Sequence, residues 1–312
     1  MEAYTDFAQV YDELMDETPY EEWCDYLVTL LEKHGVSRND ICVTNSKDET
    51  DDVGTADTAS ECVEKNLAQE RNTILDLGCG TGTLTELFAR RGYDMIGIDN
   101  AQEMLQIAQQ KREKSGLPIL YLLQDMREFE LYGTVGAVIS VCDSLNYLLE
   151  ESDIIKTFRL VNDYLYPRGL FIFDFNTVYK YAQVIGDATI AENREDCSFI
   201  WENYYHEAEE INEYDLTIFV AEGGSESEAD STAADAAGKK GCGQLAERFR
   251  RFQEVHYQRG YRLEQMMDFL AQAGLSFVEA IDADTHGEVT GESERIYVVA
   301  RKGTEAANQD VV

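Results

Sequence analysis

The residues best suited to hold a ligand stand in one short segment, Asn72-Thr-Ile-Leu-Asp-Leu-Gly-Cys-Gly-Thr-Gly82. An apolar run that predicts a strand reaches Asp76 and is followed by Gly78, Gly80 and Gly82. Glycine is needed where the backbone turns sharply or where a ligand lies against the main chain. The helix predicted next directs its free amide groups at the same place. The segment therefore predicts a ligand-binding turn between a strand and a helix.

The spacing of these glycines differs from that of a dinucleotide-binding loop. A Gly-x-Gly-x-x-Gly loop would place its third glycine at position 83 or 85, and both positions are threonine. Asp76 would also repel a pyrophosphate, whereas it would attract a positively charged group. The loop thus favours a cationic, phosphate-free ligand, and an NAD-dependent dehydrogenase ranks last among the hypotheses.

Alternating strands and helices must hold this loop in place. Short apolar runs alternate with helical stretches over residues 72–174, which predicts a parallel sheet covered by helices on both faces. The predicted strands are 73–77, 95–98, 118–123, 135–141 and 169–174, and the predicted helices include 101–114 and 152–165.

The pattern changes after residue 174. Aromatic and β-branched residues alternate without intervening helices over 175–260, which predicts an inserted antiparallel β lid. Within it, residues 222–244 include no large apolar side chain, which predicts a disordered connection. The core then resumes over 261–303, with a helix near 262–273, strands near 275–282 and 294–301, and a polar tail at 304–312.

Two further segments precede the glycine-containing loop. Residues 1–36 predict two amphipathic cap helices, because apolar residues recur at helical spacing on both sides of Pro19. Residues 37–71 are acidic and rich in small side chains. Such a composition offers little apolar surface to bury, so it predicts a flexible insertion.

The composition limits the classes of partner. The 312 residues include 61 acidic and 26 basic side chains, a net charge of −35, which repels phosphate backbones and anionic lipid headgroups. No stretch reaches the roughly 20 apolar residues of a membrane span, and the start is acidic, unlike a signal peptide. The seven cysteines include no CxxC pair. We expect a cytoplasmic monomer or homodimer without a metal, a nucleic-acid partner or a membrane partner.

The segments ILDLGCGTG at 74–82 and MIGIDNAQEML at 95–105 resemble the class I S-adenosyl-L-methionine (SAM)-dependent methyltransferases. The resemblance covers residues 72–174 and the last helix and strands. It implies an α/β fold: a Rossmann-like, doubly wound, seven-stranded and mostly parallel sheet, with the inserted antiparallel β lid and N-terminal helices. It also implies SAM as cofactor and S-adenosyl-L-homocysteine (SAH) as product.

The resemblance assigns roles to residues around the loop. In that family the acid that ends the second strand holds the ribose hydroxyls, and Asp99 occupies that position; the acid after the third strand contacts adenine, and Asp125 occupies that one. The first helix closes over the cofactor, and an aromatic ring approaches the sulfonium. The expected cofactor-binding residues are Tyr4, Tyr11, Asp76, Gly78, Cys79, Gly80, Gly82, Asp99, Asn100, Met104, Asp125, Met126 and Cys142.

The family places its reacting centre just beyond the fourth strand, which here is followed by CDSLNY at 142–147. The Asn/Asp-Pro-Pro-aromatic motif of base and glutamine methylation is absent, and so is the Pro-Cys nucleophile motif. The sequence therefore predicts methyl transfer to an unidentified small-molecule acceptor. The candidates for contacting it are Asp143, Asn146, Tyr147 and His256. The alternatives are a non-catalytic SAM-binding regulatory protein and an aminopropyltransferase that uses decarboxylated SAM.

Overall fold

The computed structural model describes residues 7–38, 67–194, 196–221 and 248–303, and the strands in these ranges form two sheets. The strands are β1 (Thr73–Leu77), β2 (Asp94–Asp99), β3 (Leu120–Leu123), β4 (Val135–Ser140), β5 (Leu165–Asn176), β6 (Thr189–Asn193), β7 (Cys197–His206), β8 (Ile211–Ala221), β9 (Phe249–Arg259), β10 (Leu275–Asp282) and β11 (Arg295–Lys302). The helices are α1 (Ala8–Leu14), α2 (Tyr20–His34), α3 (Thr83–Arg90), α4 (Gln102–Ser115), α5 (Glu151–Tyr164) and α6 (Leu263–Gln272), with a 3-10 turn at Ser144–Tyr147 and a π-helix at Lys180–Ile185.

The seven-stranded sheet has the order β10-β11-β5-β4-β1-β2-β3. Strands β1 to β5 run parallel, whereas β11 is antiparallel to both β5 and β10. The strand order proceeds outward in both directions from β1 and β4, so the loops after these two neighbours diverge and leave a crevice at their carboxyl ends. The prediction of a doubly wound, mostly parallel sheet is confirmed.

Alternating side chains of the central strands form hydrophobic cores on both faces of this sheet. Leu75 packs with Phe158 of α5 on one face, whereas the adjacent Ile74 packs with Leu27 of α2 and Phe88 of α3 on the other. Successive side chains of a strand point to opposite faces, so one apolar run contributes to both cores. For this reason β1 and β4 are buried at every position.

Strands β6 to β9 form the second sheet, which is antiparallel and lies between β5 and α6 in the sequence. We call it the inserted sheet. Val10 of α1 packs against its inner face, in contact with Tyr214, Leu216 and Ile218. The predicted antiparallel insertion is confirmed, and it is joined to the seven-stranded domain through the N-terminal helix.

Several sequence expectations fall outside the described residues. They are those for Tyr4, most of the insertion at 37–71, the whole connection at 222–244, and the tail at 304–312. Residues 67–72 are described, and they form a further helical stretch that leads directly into β1. The last residues of the predicted flexible insertion are therefore helical.

The helices in the described ranges are short, and α2, with 15 residues, is the longest of those delimited above. None of them combines the length and the apolar character that crossing a membrane requires.

Candidate active site

A cleft of about 520 Å³ opens at the carboxyl ends of β1, β2, β3 and β4, and we call it the main cleft. Its volume lies in the range of small-molecule sites, and open parallel sheets bind ligands at such a crevice. The following residues singled out from the sequence line it: Tyr11, Asp76, Gly78, Cys79, Gly80, Asp99, Asn100, Met104, Asp125, Met126, Cys142 and Tyr147. The fold therefore brings them together at one site.

The glycine loop, residues 78–82, forms one wall of the main cleft. The amide groups of Gly78 and Cys79 both donate to the carbonyl oxygen of Ile98, at 2.8 and 3.0 Å, which holds the loop against β2. Gly80 has a φ of 54°, and a Cβ there would meet no atom within 4 Å. The loop thus presents bare backbone to the open space of the cleft.

Gly82 has a different role from the predicted one. It lies outside the set of residues around the main cleft and precedes α3 with a φ of 74°. A Cβ at this position would overlap with the Tyr121 hydroxyl and lie 3.1 Å from Ala108 Cβ. The close packing of β3 and α4 therefore requires glycine here, which is a packing role different from the predicted one, and the contact of Gly82 with a cofactor stays a prediction.

Asp99 ends β2 and joins the glycine loop to the start of α4. Its Oδ2 accepts the Gly80 amide at 2.8 Å and its Oδ1 accepts the Ala101 amide at 2.8 Å. Burial raises the pKa of this carboxyl, and these backbone hydrogen bonds partly oppose the shift. Each oxygen of a carboxylate has a second lone pair, so Asp99 can still accept two hydroxyl groups from a ligand.

Asp76 lies at the inner end of the main cleft. Its Oδ2 accepts the Thr85 hydroxyl at 2.6 Å. Burial raises the pKa of Asp76 to about 7, although the hydrogen bond from Thr85 lowers it. An ammonium group placed beside this carboxyl would favour its ionised form.

Asp125 stands at the other end of the cleft, after β3. Arg127 approaches it with two guanidinium nitrogens, Nε at 2.9 Å from Oδ1 and Nη2 at 2.6 Å from Oδ2. The side-chain hydrogen bonds from Arg127 hold the pKa of Asp125 below its usual range. The carboxylate is thus ionised and fixed in orientation at the cleft.

The turn after β4 has an unusual backbone conformation that a buried acid stabilises. Cys142 and Asp143 have φ values of 60° and 54°, which are uncommon for residues with a side chain. Both of their amide groups donate to the carboxylate of Asp174 in β5, at 3.1 and 2.8 Å. Arg295 Nε lies 3.8 Å from the same carboxylate. Asp174 therefore positions the residues that face the cleft beyond β4.

Two of the residues predicted to contact an acceptor form hydrogen bonds to other residues of the protein. Asp143 accepts from Gln258 Nε2 at 2.5 Å and from Arg295 Nη2 at 3.4 Å. Asn146 is fully buried; its Nδ2 donates to the carbonyl oxygens of Asn176 and Arg259, and its Oδ1 accepts the Asn176 amide. Asn146 thus joins the ends of β5 and β9, and its prediction as an acceptor contact is wrong.

Tyr147 connects the main cleft to the inserted sheet. It lines the cleft, and its hydroxyl lies 2.6 Å from the hydroxyl of Tyr214 and 3.1 Å from Nδ1 of His256. His256 itself is buried in the inserted sheet, beside Glu254 of the same strand. The prediction of Tyr147 and His256 as neighbours of the reacting centre stays a prediction, with Tyr147 on the cleft side.

The N-terminal helix covers the opposite side of the main cleft. Tyr11 of α1 lines the cleft together with Tyr20 of α2. Asp12 accepts the Thr81 hydroxyl at 2.6 Å and pairs with Lys111 Nζ at 2.6 Å. These contacts attach α1 to the glycine loop and to α4.

The two cysteines at the cleft are neutral thiols. Burial raises the pKa of both Cys79 and Cys142 well above the usual value, so neither is activated as a thiolate nucleophile. No group of three or more His, Cys, Asp or Glu side chains that could hold a metal occurs within the described ranges.

Comparisons with known proteins agree with this geometry. A family model described as a methyltransferase domain matches residues 74–169. The chain is also 32% identical over 300 residues to "Putative methyltransferase YqeM" of Bacillus subtilis, a match that covers 96% of this chain and 97% of that protein. The chain belongs to the class I SAM-dependent methyltransferases.

Two solved structures have a fold similar to that of this methyltransferase. A SAM-dependent methyltransferase from Clostridium acetobutylicum is 25% identical, with a TM-score of 0.69, over 97% of this chain and 100% of that one. The sugar N-methyltransferase KedS8 of Streptoalloteichus is 17% identical, with a TM-score of 0.53, over 82% of this chain and 97% of that one. The second likeness concerns the fold alone.

The main cleft of this methyltransferase fits SAM, which has ribose hydroxyls and positive charge but no phosphate. Asp99 offers a carboxylate to two hydroxyl groups, and the glycine loop leaves room for a ligand against Gly80. Asp76 and Asp99 line the same cleft, whereas Asp125 is paired with Arg127. The two carboxyl groups Asp76 and Asp99 disfavour a polyphosphate cofactor and suit a cationic one.

Three residues that shape the site are not identified by the sequence reasoning: Asp174, Arg295 and Glu254. Asp174 interrupts the apolar run at 170–175, and a lone acid inside a buried strand is a signal that could have found it. Arg295 and Glu254 have no such local signal, because Arg295 pairs with Asp143 and Glu254 accepts the Phe7 amide, both from distant parts of the chain.

Proposed function

We propose that this methyltransferase modifies a small-molecule acceptor held between the turn after β4 and the inserted sheet. The observation that carries the proposal is the position of Tyr147, which lines the main cleft and hydrogen-bonds to Tyr214 and His256 of the inserted sheet. The acceptor space is therefore enclosed by two sheets, which favours a small molecule over a polymer.

The residues of the main cleft have separable roles in this proposal. Asp99 binds the ribose hydroxyls, Asp125 and Met126 contact the adenine, and Asp76 faces the ammonium group. Bound SAM supplies an electrophilic methyl group on a sulfonium. The protein aligns the acceptor with that group and excludes water, which is the main source of rate in such a displacement.

The two alternatives receive less support from the site. A non-catalytic SAM-binding protein does not require polar groups beyond β4, yet Tyr147 and its hydrogen-bonded partners lie there. An aminopropyltransferase requires free acids for a polyamine, whereas Asp143 and Asp174 both lie within 4 Å of Arg295 nitrogens. Methyl transfer is therefore the better supported function.

Turnover on a library of hydroxyl-, amine- and thioether-bearing small molecules tests the proposal. We expect the protein to convert methyl-labelled SAM to SAH and a labelled small product, with the Asp99→Ala variant strongly impaired. The exposed acid Asp163 of α5 provides the matched control, since Asp163→Ala leaves the cleft intact. SAH binding without any small labelled product, or labelling of protein or nucleic acid instead, would contradict the proposal.

We further propose a cytoplasmic location, a monomer or homodimer, and no nucleic-acid partner. The last expectation derives from the charge of −35, which repels phosphate backbones. Ultracentrifugation gives the oligomeric state, and electrophoretic mobility shift gives binding to nucleic acid.

A further inference from the structure

We propose that Tyr147, His256 and Glu254 form a proton relay that removes a proton from the methyl acceptor. The inference rests on the proposed function and deepens it: the acceptor reacts through a hydroxyl or an ammonium group, either of which must lose a proton. The three side chains lie in a row that leads from the main cleft into the inserted sheet. Tyr147 is the member of this row that lines the cleft.

The distances along the row suit proton transfer. Tyr147 Oη lies 3.1 Å from His256 Nδ1, and His256 Nε2 lies 3.3 Å from Glu254 Oε2. His256 is 1% exposed and Glu254 is 4% exposed. Burying a carboxylate is unfavourable unless it is paired, and clusters of buried ionisable groups next to a cleft are candidates for acid–base chemistry.

Glu254 favours hydrogen on Nε2 of the imidazole. Its Oε2 lies 3.3 Å from Nε2, an ion-pair contact, and its negative charge stabilises hydrogen on that nitrogen, which leaves Nδ1 to accept from Tyr147. The Tyr214 ring stacks on the imidazole, with centroids 4.8 Å apart and 5° between the planes. Glu254, Tyr147 and Tyr214 are thus titratable groups that face His256.

The proton balance follows from this arrangement. The acceptor proton passes to Tyr147 Oη while the proton of Tyr147 passes to His256 Nδ1, which leaves a neutral phenol and an imidazolium paired with Glu254. The acceptor lone pair forms the bond to the methyl carbon, and the electrons of the broken carbon–sulfur bond stay on sulfur. Acid–base assistance of this kind contributes about 10²- to 10⁴-fold in rate.

The alternative is that Tyr147, His256 and Glu254 have a purely structural role, because their contacts also attach the inserted sheet to the remainder of the protein. Glu254 Oε1 accepts the Phe7 amide at 3.0 Å, for example. A second histidine–glutamate pair provides a matched control: His206 Nε2 lies 2.8 Å from Glu213 Oε2. This pair is more exposed and lies on the outer face of the same sheet.

The first test observes the imidazole directly and requires no acceptor. NMR of protein with isotope-labelled histidine resolves the four histidines, which single substitutions assign. We expect His256 in the form with hydrogen on Nε2, and Tyr147→Phe should change its Nδ1 signal while the His206 signal stays the same. Hydrogen on Nδ1 would overturn the relay, because that nitrogen would then be unable to accept a proton from Tyr147.

The second test separates turnover from cofactor binding. On the small molecule that the wild-type protein methylates fastest, Tyr147→Phe and His256→Asn should each lower kcat about 100-fold, and Glu254→Gln should lower kcat and displace its pH profile. SAH affinity, measured by calorimetry, should change less than about threefold in these variants. His206→Asn should change neither quantity.

Two different results distinguish the relay from the proposed function. Unchanged kcat and pH profile in Tyr147→Phe, with turnover intact, would overturn the relay alone. SAH binding without turnover on any small molecule would overturn the proposed function, and the relay with it, whatever the NMR result.

Discussion

Asp76 lies beneath the glycine loop in surroundings that oppose its negative charge. It is 3% exposed, and burial raises its pKa to about 7 against the effect of the Thr85 hydrogen bond. The folded protein therefore holds this proton more tightly than the unfolded chain does. A raised carboxyl pKa means that stability is lost as the pH rises from about 4 to about 7.

Asp76→Asn is accordingly expected to stabilise the ligand-free protein, and more strongly at about pH 8 than at about pH 5. The gain in free energy of unfolding should differ by about 2 kcal/mol between the two conditions, as measured by chemical denaturation. Asp163→Asn, at an exposed position of α5, is the control and should show no such difference. An equal gain at both pH values would contradict the raised pKa of Asp76.

Single residues are predictable from the sequence when their role depends on neighbours close in the chain. The loop position of Gly80 and the strand-end position of Asp99 follow from spacing alone. The role of Asn146 is not predictable in this way, because its side-chain amide donates to backbone carbonyl groups 30 and 113 positions away in the sequence. Glu254 escapes prediction for the same reason, since the Phe7 amide that it accepts lies 247 positions away in the sequence.

Among the elements, α1 forms one side of the main cleft. Asp12 binds Thr81 of the glycine loop and Lys111 of α4, both at 2.6 Å, and the adjacent Tyr11 lines the cleft. Any movement of α1 away from the cleft must break these two contacts. The helix is therefore placed to slow the release of a bound cofactor.

Asp12→Asn is expected to increase the dissociation rate of SAH about fivefold, as loss of roughly 1 kcal/mol from a partly exposed pair implies. Stopped-flow displacement measures this rate. Asp16→Asn is the matched control, because Asp16 pairs with Arg194 instead of the glycine loop. Equal dissociation rates for wild type and Asp12→Asn, or equal increases in both variants, would show that the contacts of Asp12 do not slow the release of SAH.

The type and order of the elements are predictable because burial imposes a clear period on the sequence. The prediction of β1 at 73–77 matches the observed residues, and the two predicted helices differ from α4 and α5 by one residue. The start of β5 differs more, at Leu165 instead of 169. Leu165 follows α5 directly and pairs with Val135 of β4, and the register between the two strands then shifts. Nothing in the local sequence indicates this shift.

At the scale of the whole molecule, the long connection between β8 and β9 is expected to be dispensable for folding. Residues 223–240 include no large apolar side chain, so their removal takes little surface out of the core. Ala221 and Phe249 are paired in register, so a shorter link can join the two strands.

Deletion of 223–240 should therefore change the Tm by less than about 2 °C and leave SAH affinity unchanged. Thermal denaturation and calorimetry on the shortened protein measure both quantities. A loss of several degrees would show that this segment packs against the remainder of the protein.

The carboxylate of Asp99, at the end of β2, is expected to hold the cofactor in the main cleft. Calorimetric titration of SAH into the wild-type protein, Asp99→Ala and Asp163→Ala measures this directly. We expect micromolar binding that weakens at least about tenfold in Asp99→Ala, because a charged acceptor of two hydrogen bonds is lost. Asp163→Ala should bind SAH as tightly as the wild-type protein. Unchanged affinity in Asp99→Ala, or binding of NAD in place of SAH, would show that Asp99 does not hold SAH in this cleft.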